Sequence, residues 1–152
     1  NQTITASTYL PDTTHLDSLS YFWNSGGFVD PAWFVLMHWS DKELEENFYR
    51  FKATINGDKD NQISLLDDLL INGVETQYPL FGVTVDDYDS LSVEFIEIDK
   101  ETYNYLKVLG EIASGENATS AAPGNPVSNL KGDAIGFFGA YAITNGFIVI
   151  EP

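Results

Sequence analysis

The chain has 152 residues, 43% of them hydrophobic and 14% aromatic, so it is long and apolar enough to bury a core and lies outside the composition of disordered chains. Its formal net charge is −16, from 7 Lys and Arg against 23 Asp and Glu, and this negative field argues against nucleic acid or an anionic membrane surface as a partner. The sequence holds no Cys, which excludes disulfides, thiolate zinc sites and cysteine nucleophiles from these residues.

The first residues have strand-like composition. Residues 3–10 are rich in β-branched side chains, and Pro11 ends the run. Because the sequence opens without Met or a signal peptide, we expect it to be a processed or excised part of a longer protein. Residues 1–10 are then the remnant of a preceding domain or linker, which should pair with little of the fold or lie at its edge.

Three longer strands are predicted next. Residues 16–23 alternate, residues 33–39 are apolar on both faces as in a central strand, and residues 48–55 alternate as in a half-solvated antiparallel strand. We expect residues 33–39 and 48–55 to pair as a hairpin with a longer loop.

The middle of the chain is less regular. Residues 65–71 and 78–81 are short apolar pieces bounded by turn residues, and we expect short strands or irregular chain there. Residues 83–85 and 91–98 are predicted to form a further hairpin around an acidic turn.

One helix is predicted, over residues 100–113, with Asp99 as its N-cap and Ser114-Gly115 as its end. A loop follows over residues 116–127. Helical spacing places six apolar residues of the helix on one face: Tyr105, Leu106, Val108, Leu109, Ile112 and Ala113.

The C-terminal stretch, residues 134–150, is predicted to form a β-hairpin. Asn145-Gly146 lies between the apolar runs 134–143 and 147–150, and this dipeptide favours a type I′ hairpin with positive φ at both residues. Both faces of the pair are apolar, so we expect it inside a sheet that is covered on both sides. The larger face holds Phe137, Tyr141, Ile143, Ile148 and Ile150.

Together these elements predict a mainly β fold. We expect a single β-rich domain over residues 1–152, folded as a two-layer antiparallel β-sandwich. The amphipathic helix at about residues 100–113 should pack on an edge or a face of that sandwich.

The order of these landmarks resembles a known family. The stretches that carry the resemblance are Ala6 to Pro11, Leu16 to Leu19, Ser40-Asp41, Asn47 to Arg50, Asp67-Asp68, Asn72-Gly73, Asp89 to Glu94, Thr102 to Leu106, Asn125 to Asn129 and Gly136 to Tyr141. Nearly the whole chain is similar to the Bacteroidetes family of domain of unknown function 4249, and specifically to the C-terminal part of its members.

The resemblance implies a cellular location and does not imply an activity. Members look like cell-surface lipoproteins, with a lipid-modified Cys and an immunoglobulin-like or related β region before the part seen here. This chain holds neither, so the resemblance implies outer-membrane or cell-surface location through a lipid anchor that is absent from this sequence. A surface protein, an outer-membrane receptor or a glycan is the expected partner, and no catalytic residue carries over.

Residues 56–67 match a calcium-binding loop in part. Asn56, Asp58, Asp60 and Asp67 fall at positions that supply oxygen ligands in such loops. The pattern's Gly is replaced by Asn61, and its final Glu by the shorter Asp, so a solvated hairpin turn is the interpretation that we favour. Calcium is the only cofactor that the sequence raises.

Aromatic residues are the stronger lead to a binding surface. Exposed rings stack on sugars or anchor protein partners, and core packing is the alternative, which we favour for Trp33 or Trp39. Tyr103 lies off the apolar face of the predicted helix and should be exposed. The candidate binding residues are Trp23, Trp39, Tyr78, Tyr88 and Tyr103.

No pattern names a reaction. His38 lies inside an apolar run, where a hydrogen-bonded core histidine is expected instead of a catalytic base, and neither a Gly-x-Ser-x-Gly elbow nor a His-Glu-x-x-His pair occurs. We therefore expect a non-enzymatic binding or structural module of a surface lipoprotein. The alternative hypothesis is a carbohydrate-binding module in nutrient capture, acting alongside an outer-membrane receptor.

Overall fold

The computed structural model describes residues 3–27, 30–114 and 125–152. Its strands are β1 (Ser18–Asn24), β2 (Ala32–Ser40), β3 (Phe48–Ile55), β4 (Asp58–Lys59), β5 (Ser64–Asp67), β6 (Glu75–Pro79), β7 (Ser90–Ile98) and β8 (Tyr141–Val149), and its helix is α1 (Lys100–Ser114). No helix in these ranges is long and apolar enough to cross a membrane.

The strands form two antiparallel sheets, which confirms the mainly β fold class. The front sheet has the order β1-β2-β6. The back sheet has the order β4-β3-β7-β8, and β5 also pairs with β3. β3 forms over the whole of its predicted range, and β2 is central in its sheet, as its two-sided apolar run predicts.

The core lies between the two sheets. Trp39 of β2 is fully buried there, and its ring centroid lies 5.1 Å from that of Phe95 and 5.6 Å from that of Tyr49 on the back sheet. Alternating inward side chains of β3 and β7 complete this layer, because a strand directs every second residue to the same face. Burial of each large apolar side chain contributes about 1.5 to 3 kcal/mol.

The predicted hairpin between residues 33–39 and 48–55 is wrong. β2 pairs with β1 and β6, whereas β3 pairs with β4, β5 and β7 in the other sheet. Strands in either arrangement direct the same apolar faces to the core, so alternation cannot distinguish pairing within a sheet from packing between sheets.

The hairpin predicted from residues 83–85 and 91–98 is also wrong. β7 forms as predicted, but Val85 makes an isolated bridge with Trp33 of the front sheet. Val85 is 2% exposed, so its burial in the core offsets the backbone pairing with β7 that it does not make.

The predicted C-terminal hairpin does not form. Residues 141–149 are one continuous strand, in which Asn145 lies opposite Glu94 and Gly146 opposite Val93 of β7. Neither Asn145 nor Gly146 has positive φ. A Cβ added at Gly146 would lie 2.7 Å from Leu16 Cδ2, so this glycine permits the close approach of neighbouring chain.

Continuity of β8 divides the face predicted for the hairpin. Ile148 and Ile150 point inward, and Ile150 is fully buried. Tyr141 and Ile143 lie on the opposite face and are 48% and 42% exposed. The expectation that both faces would be covered is therefore wrong, because the outward face of β8 stays in contact with solvent.

Helix α1 forms as predicted and packs on the outer face of the back sheet. The Thr102 N–H donates to Asp99 Oδ1 at 2.6 Å, which confirms the N-cap. Tyr103 and Leu106 pack against Phe48 and Ile98 of the sheet. The buried face is rotated from the predicted one, since Leu109 and Ile112 remain 36% and 37% exposed. Gly115 and residues 116–124 of the predicted loop lie outside the described residues.

Residues 3–10 make no regular strand. Their one bridge joins Thr5 to Lys131, with backbone hydrogen bonds of 3.2 and 2.8 Å. Most of their side chains are exposed, as the prediction of little pairing required. The Thr8 hydroxyl additionally donates to the N-cap Asp99 at 2.7 Å, which ties this segment to the start of α1.

Candidate binding surfaces

The residues of the partial calcium pattern do not meet at one place. Asn56 follows the last residue of β3, whereas Asp67 lies opposite Phe48, the first residue of that strand. Eight residues of strand separate these two positions by about 25 Å. Asp58 in β4 and Asp60 after it remain near the turn. Within the described ranges, no three His, Asp or Glu side chains are grouped as metal ligands.

The turn residues instead bind other parts of this chain. The Asn56 side chain donates to Asp89 Oδ1 at 2.6 Å and accepts the Ser90 N–H at 2.9 Å, which holds the β3 turn to the start of β7. A hydrogen bond from the Asp86 N–H, followed by that from Asn56, lowers the pKa of Asp89. Asp60 accepts the Gln62 N–H at 3.1 Å in a local turn. These contacts fit the solvated-turn interpretation.

The candidate aromatic residues divide into buried and exposed groups. Trp39 is fully buried, as core packing predicted, whereas Trp23 is 52% and Tyr88 74% exposed. Tyr103 was expected to be exposed, and that is wrong. Its ring packs 4.9 Å from that of Phe48, because α1 is rotated relative to the predicted apolar face. Tyr78 is also half-buried, 6.0 Å from Phe51.

Two of these tyrosines lie near Asp67. The Tyr103 hydroxyl donates to Asp67 Oδ2 at 3.3 Å. Burial raises the pKa of Tyr103 and of Tyr78, and the charge of Asp67 raises both further. Each phenol therefore stays protonated and available as a hydrogen-bond donor at neutral pH.

His38 lies on the outer face of the front sheet, so the core position predicted for it is wrong. Its Nε2 lies 2.6 Å from the Ser20 hydroxyl on β1, which confirms the expected hydrogen bond. Its ring is half-buried. This Ser-His pair has Gln77 as the neighbour on the next strand, so no carboxylate orients the imidazole from that side.

A buried polar cluster lies where the chain crosses between the sheets. The Tyr49 hydroxyl donates to the Asp41 carboxylate, which also accepts the Gly73 N–H at 3.0 Å. Asp68 accepts the Asn47 N–H at 2.9 Å. Burial, reinforced by the bond to Asp41, raises the pKa of Tyr49. Sequence reasoning missed this cluster, although all five residues lie in stretches that carry the family resemblance.

Glu97 extends the cluster and is 3% exposed. Its carboxylate accepts the Thr14 N–H at 2.8 Å, the Asn47 side-chain amide at 3.0 Å and the Lys42 ammonium at 3.1 Å. Several donors on one carboxylate compensate for its burial. These carboxylates accept hydrogen bonds from several separate segments of the chain, so the cluster ties those segments together.

The free edge of the back sheet is a more accessible feature. β8 ends the strand order and pairs only with β7 within the described residues. Its nine residues span about 30 Å and include no charged residue and no Pro, the usual devices that keep a sheet edge from pairing with another chain. The strand at the opposite end of that order, β4, has only two residues, and both are charged.

The outward face of β8 is also apolar. At alternate positions, Tyr141 is 48%, Ile143 42%, Phe147 66% and Val149 39% exposed. We define the edge and this face together as the β8 surface. A strand added here would find unpaired backbone groups along one side and apolar side chains on one face, the combination that peptide-binding sheets use. Asn145 lies at the centre of the surface.

Comparison with known proteins adds one relationship. A family model described as Domain of unknown function (DUF4249) matches residues 1–146. No curated protein and no solved structure matches the chain.

Proposed function

The chain belongs to the family of domain of unknown function 4249, and we propose that it is a non-enzymatic binding module of a cell-surface lipoprotein. The observation that supports the proposal is the β8 surface, a nine-residue edge with four exposed apolar side chains. The partner is a protein segment in extended conformation that adds a strand beside β8. Backbone hydrogen bonds would supply affinity, and contacts with the exposed side chains of Tyr141, Ile143 and Phe147 would supply specificity.

Site-specific photo-crosslinking in the producing cells tests this proposal. A benzophenone amino acid at Phe147 should form adducts with a partner protein, because that side chain projects from the β8 surface. The matched control carries the same probe at Leu44, which is 91% exposed on the connection between β2 and β3. Adducts at 147 but not at 44, reduced by Ile143→Lys, are expected. Equal labelling at both sites would contradict the proposal.

The proposed location at the cell surface has a separate test. The family resemblance supports a lipid-anchored protein at the outer membrane or cell surface. The full precursor should incorporate an alkyne-tagged fatty acid and should be cleaved by protease added to intact cells. An unlabelled precursor protected from protease would contradict the address while leaving the strand-addition proposal open to its separate test.

A carbohydrate-binding module is the second candidate, supported by one exposed ring. Trp23 is 52% exposed and packs edge-on against Trp33 at 5.2 Å, and the Trp33 indole donates to Asp87 at 2.7 Å. The Trp23 ring can stack on a sugar, and the Asp87 carboxylate beside its neighbour Trp33 can accept hydrogen bonds from the sugar hydroxyl groups. Affinity electrophoresis in soluble polysaccharide gels should show retardation that Trp23→Ala abolishes. Phe22→Ala, on the other face of β1, is the matched control and should leave retardation unchanged.

A further inference from the structure

A small cleft lies between α1 and the outer face of the back sheet. Its volume is about 240 Å³, and residues 137–141 form its remaining wall. The lining is mostly aliphatic or aromatic and includes Arg50, Ile96, Tyr105, Phe137 and Tyr141. Pockets for drug-sized ligands are typically about 300 Å³ or larger, so the group that enters this cleft is smaller than such a ligand.

The wall opposite the sheet is held in place by its own contacts. The rings of Tyr105 and Phe137 stack with centroids 4.6 Å apart and planes 28° apart. The Asn129 side chain accepts the Phe138 N–H at 2.9 Å and donates to the Phe138 carbonyl at 2.7 Å, as a neighbouring strand would. The cleft is therefore a preformed feature of the described fold, because stacking and hydrogen bonds fix the side chains that form this wall.

One cation lines this apolar cleft. Arg50 is the only arginine of the chain, and its neighbours across the sheet are Ile96 on β7 and Leu65 on β5. Its Nε is buried without a hydrogen-bond partner, and no carboxylate forms an ion pair with it within the described residues. The next outward cation of β3, Lys52, does pair with a carboxylate, Glu94 at 3.3 Å. Among the residues that the structure describes, Arg50 is thus unpaired, although the whole sequence carries 23 Asp and Glu.

We propose that this cleft binds a small carboxylate carried on an apolar body. A buried guanidinium N–H without an acceptor is unfavourable, and a carboxylate is the acceptor that fits its planar, two-pronged donor geometry best. The apolar body lies between Ile96, Phe137 and Tyr141, where it is removed from water. Two sources share this chemistry, a free organic acid of medium chain length and the C-terminal carboxylate of an apolar peptide.

The test is a titration of the whole chain with small acids, monitored by calorimetry and by two-dimensional NMR. The probes are sodium octanoate, 3-phenylpropionate, and a tripeptide that ends in Leu with a free carboxylate. Octanol and the C-terminal amide of the tripeptide have the same apolar bodies without the charge. At least one acid should bind saturably and shift the resonances of Ile96, Phe137 and Tyr141, and the acid that binds identifies the source. The uncharged analogues should bind at least about tenfold more weakly, since hydrogen bonds to charged groups exceed neutral ones by that order.

Variants separate the cleft from general effects of charge. Arg50→Met keeps the apolar stem and should weaken binding of the acid at least about tenfold, whereas Arg50→Lys should retain part of it. Lys52→Met removes the neighbouring cation of the same strand and should leave affinity unchanged. Phe147→Lys, which alters the β8 surface, should also leave it unchanged, so this inference and the proposed function fail independently.

Two results would overturn the inference. One is a wild-type titration in which no acid of the panel shifts the cleft resonances, and this readout requires no variant to fold. The other is an equal loss of affinity in Lys52→Met and Arg50→Met, which would mean that the acids bind any surface cation.

Discussion

The Asn-Gly pair at residues 56 and 57 turns the chain between β3 and β4, whereas the pair at residues 145 and 146 runs straight through the middle of β8. In the first pair, Asn56 has φ of 51° and Gly57 has φ of 91°, and nothing lies within 4 Å of a Cβ added at Gly57. In the second pair neither φ is positive, and an added Cβ meets Leu16 and Leu19. The same dipeptide therefore serves two purposes: Gly57 permits a positive φ, whereas Gly146 leaves room for Leu16 and Leu19 because it has no side chain.

The largest effect is expected at Gly146. Gly146→Val should lower the free energy of unfolding by about 3 kcal/mol, because the new side chain overlaps Leu16 and Leu19 instead of straining the backbone. Urea denaturation measures the change. Its control is a double-mutant cycle of Gly146→Ala with Leu19→Ala, in which the combined loss should fall short of the sum by about 1 kcal/mol. Additive losses would mean that packing is not the cause.

Gly73, in a third Asn-Gly pair, combines both requirements. Its φ is 71°, and an added Cβ would lie 3.0 Å from the Glu43 Cβ and 3.2 Å from its Cα. Gly73→Ala should therefore cost about 2 kcal/mol, from strain together with contact against main chain. Thermal denaturation measures this loss. Glu43→Ala should not rescue it, since the Cα and Cβ of residue 43 remain, and a full rescue would contradict this explanation.

Gly57 should show the strain of positive φ alone. Gly57→Ala is expected to cost about 1 kcal/mol, because the site has open space but an unfavourable φ for an L-residue. Semisynthesis with D-Ala at 57 is the sharper measurement, because a D-residue favours positive φ. The D-Ala protein should be at least as stable as the wild type. A loss equal to that of L-Ala would show that the turn is not limited by φ.

The smallest effect compares the two asparagines. Asn56→Ala should raise the pKa of Asp89 towards its ordinary value, since it removes one of the two hydrogen bonds that lower it. The shift should be partial, because the Asp86 N–H still donates to Asp89 at 2.8 Å. An NMR titration of the side-chain carboxyl carbons measures it. Asn145→Ala should leave the Asp89 titration unchanged, and an unchanged titration in Asn56→Ala would contradict the assignment.

Local patterns predicted what depends on neighbours in sequence. The alternation of residues 48–55 gave β3 its limits and its inward face, and Asp99 gave α1 its start, because both signals act within a few residues. Strand partners could not be predicted in the same way. β2 and β3 both direct apolar side chains to one core, and that pattern is satisfied whether they share a sheet or face each other across it.

The candidate surfaces were harder to predict for a related reason. An apolar strand is typical of a covered position, so the exposed face of β8 contradicts the usual meaning of its composition. Arg50 was visible only as one polar residue on the solvated side of β3, and its isolation depends on Ile96, Leu65 and α1 being its neighbours. A single arginine in a strongly acidic chain was the one signal that could have drawn attention to it.

The bare edge of β8 also bears on how the chain behaves in concentrated solution. An uncharged, apolar edge strand is a template for pairing with the same edge of another copy, and here the net charge of −16 opposes that association by mutual repulsion. Such repulsion weakens when salt shortens its range to about 10 Å at 0.1 M, and again when acid protonates the carboxylates. Colloidal stability should therefore fall with either treatment, and a single lysine in place of Ile143 or Phe147 should restore it.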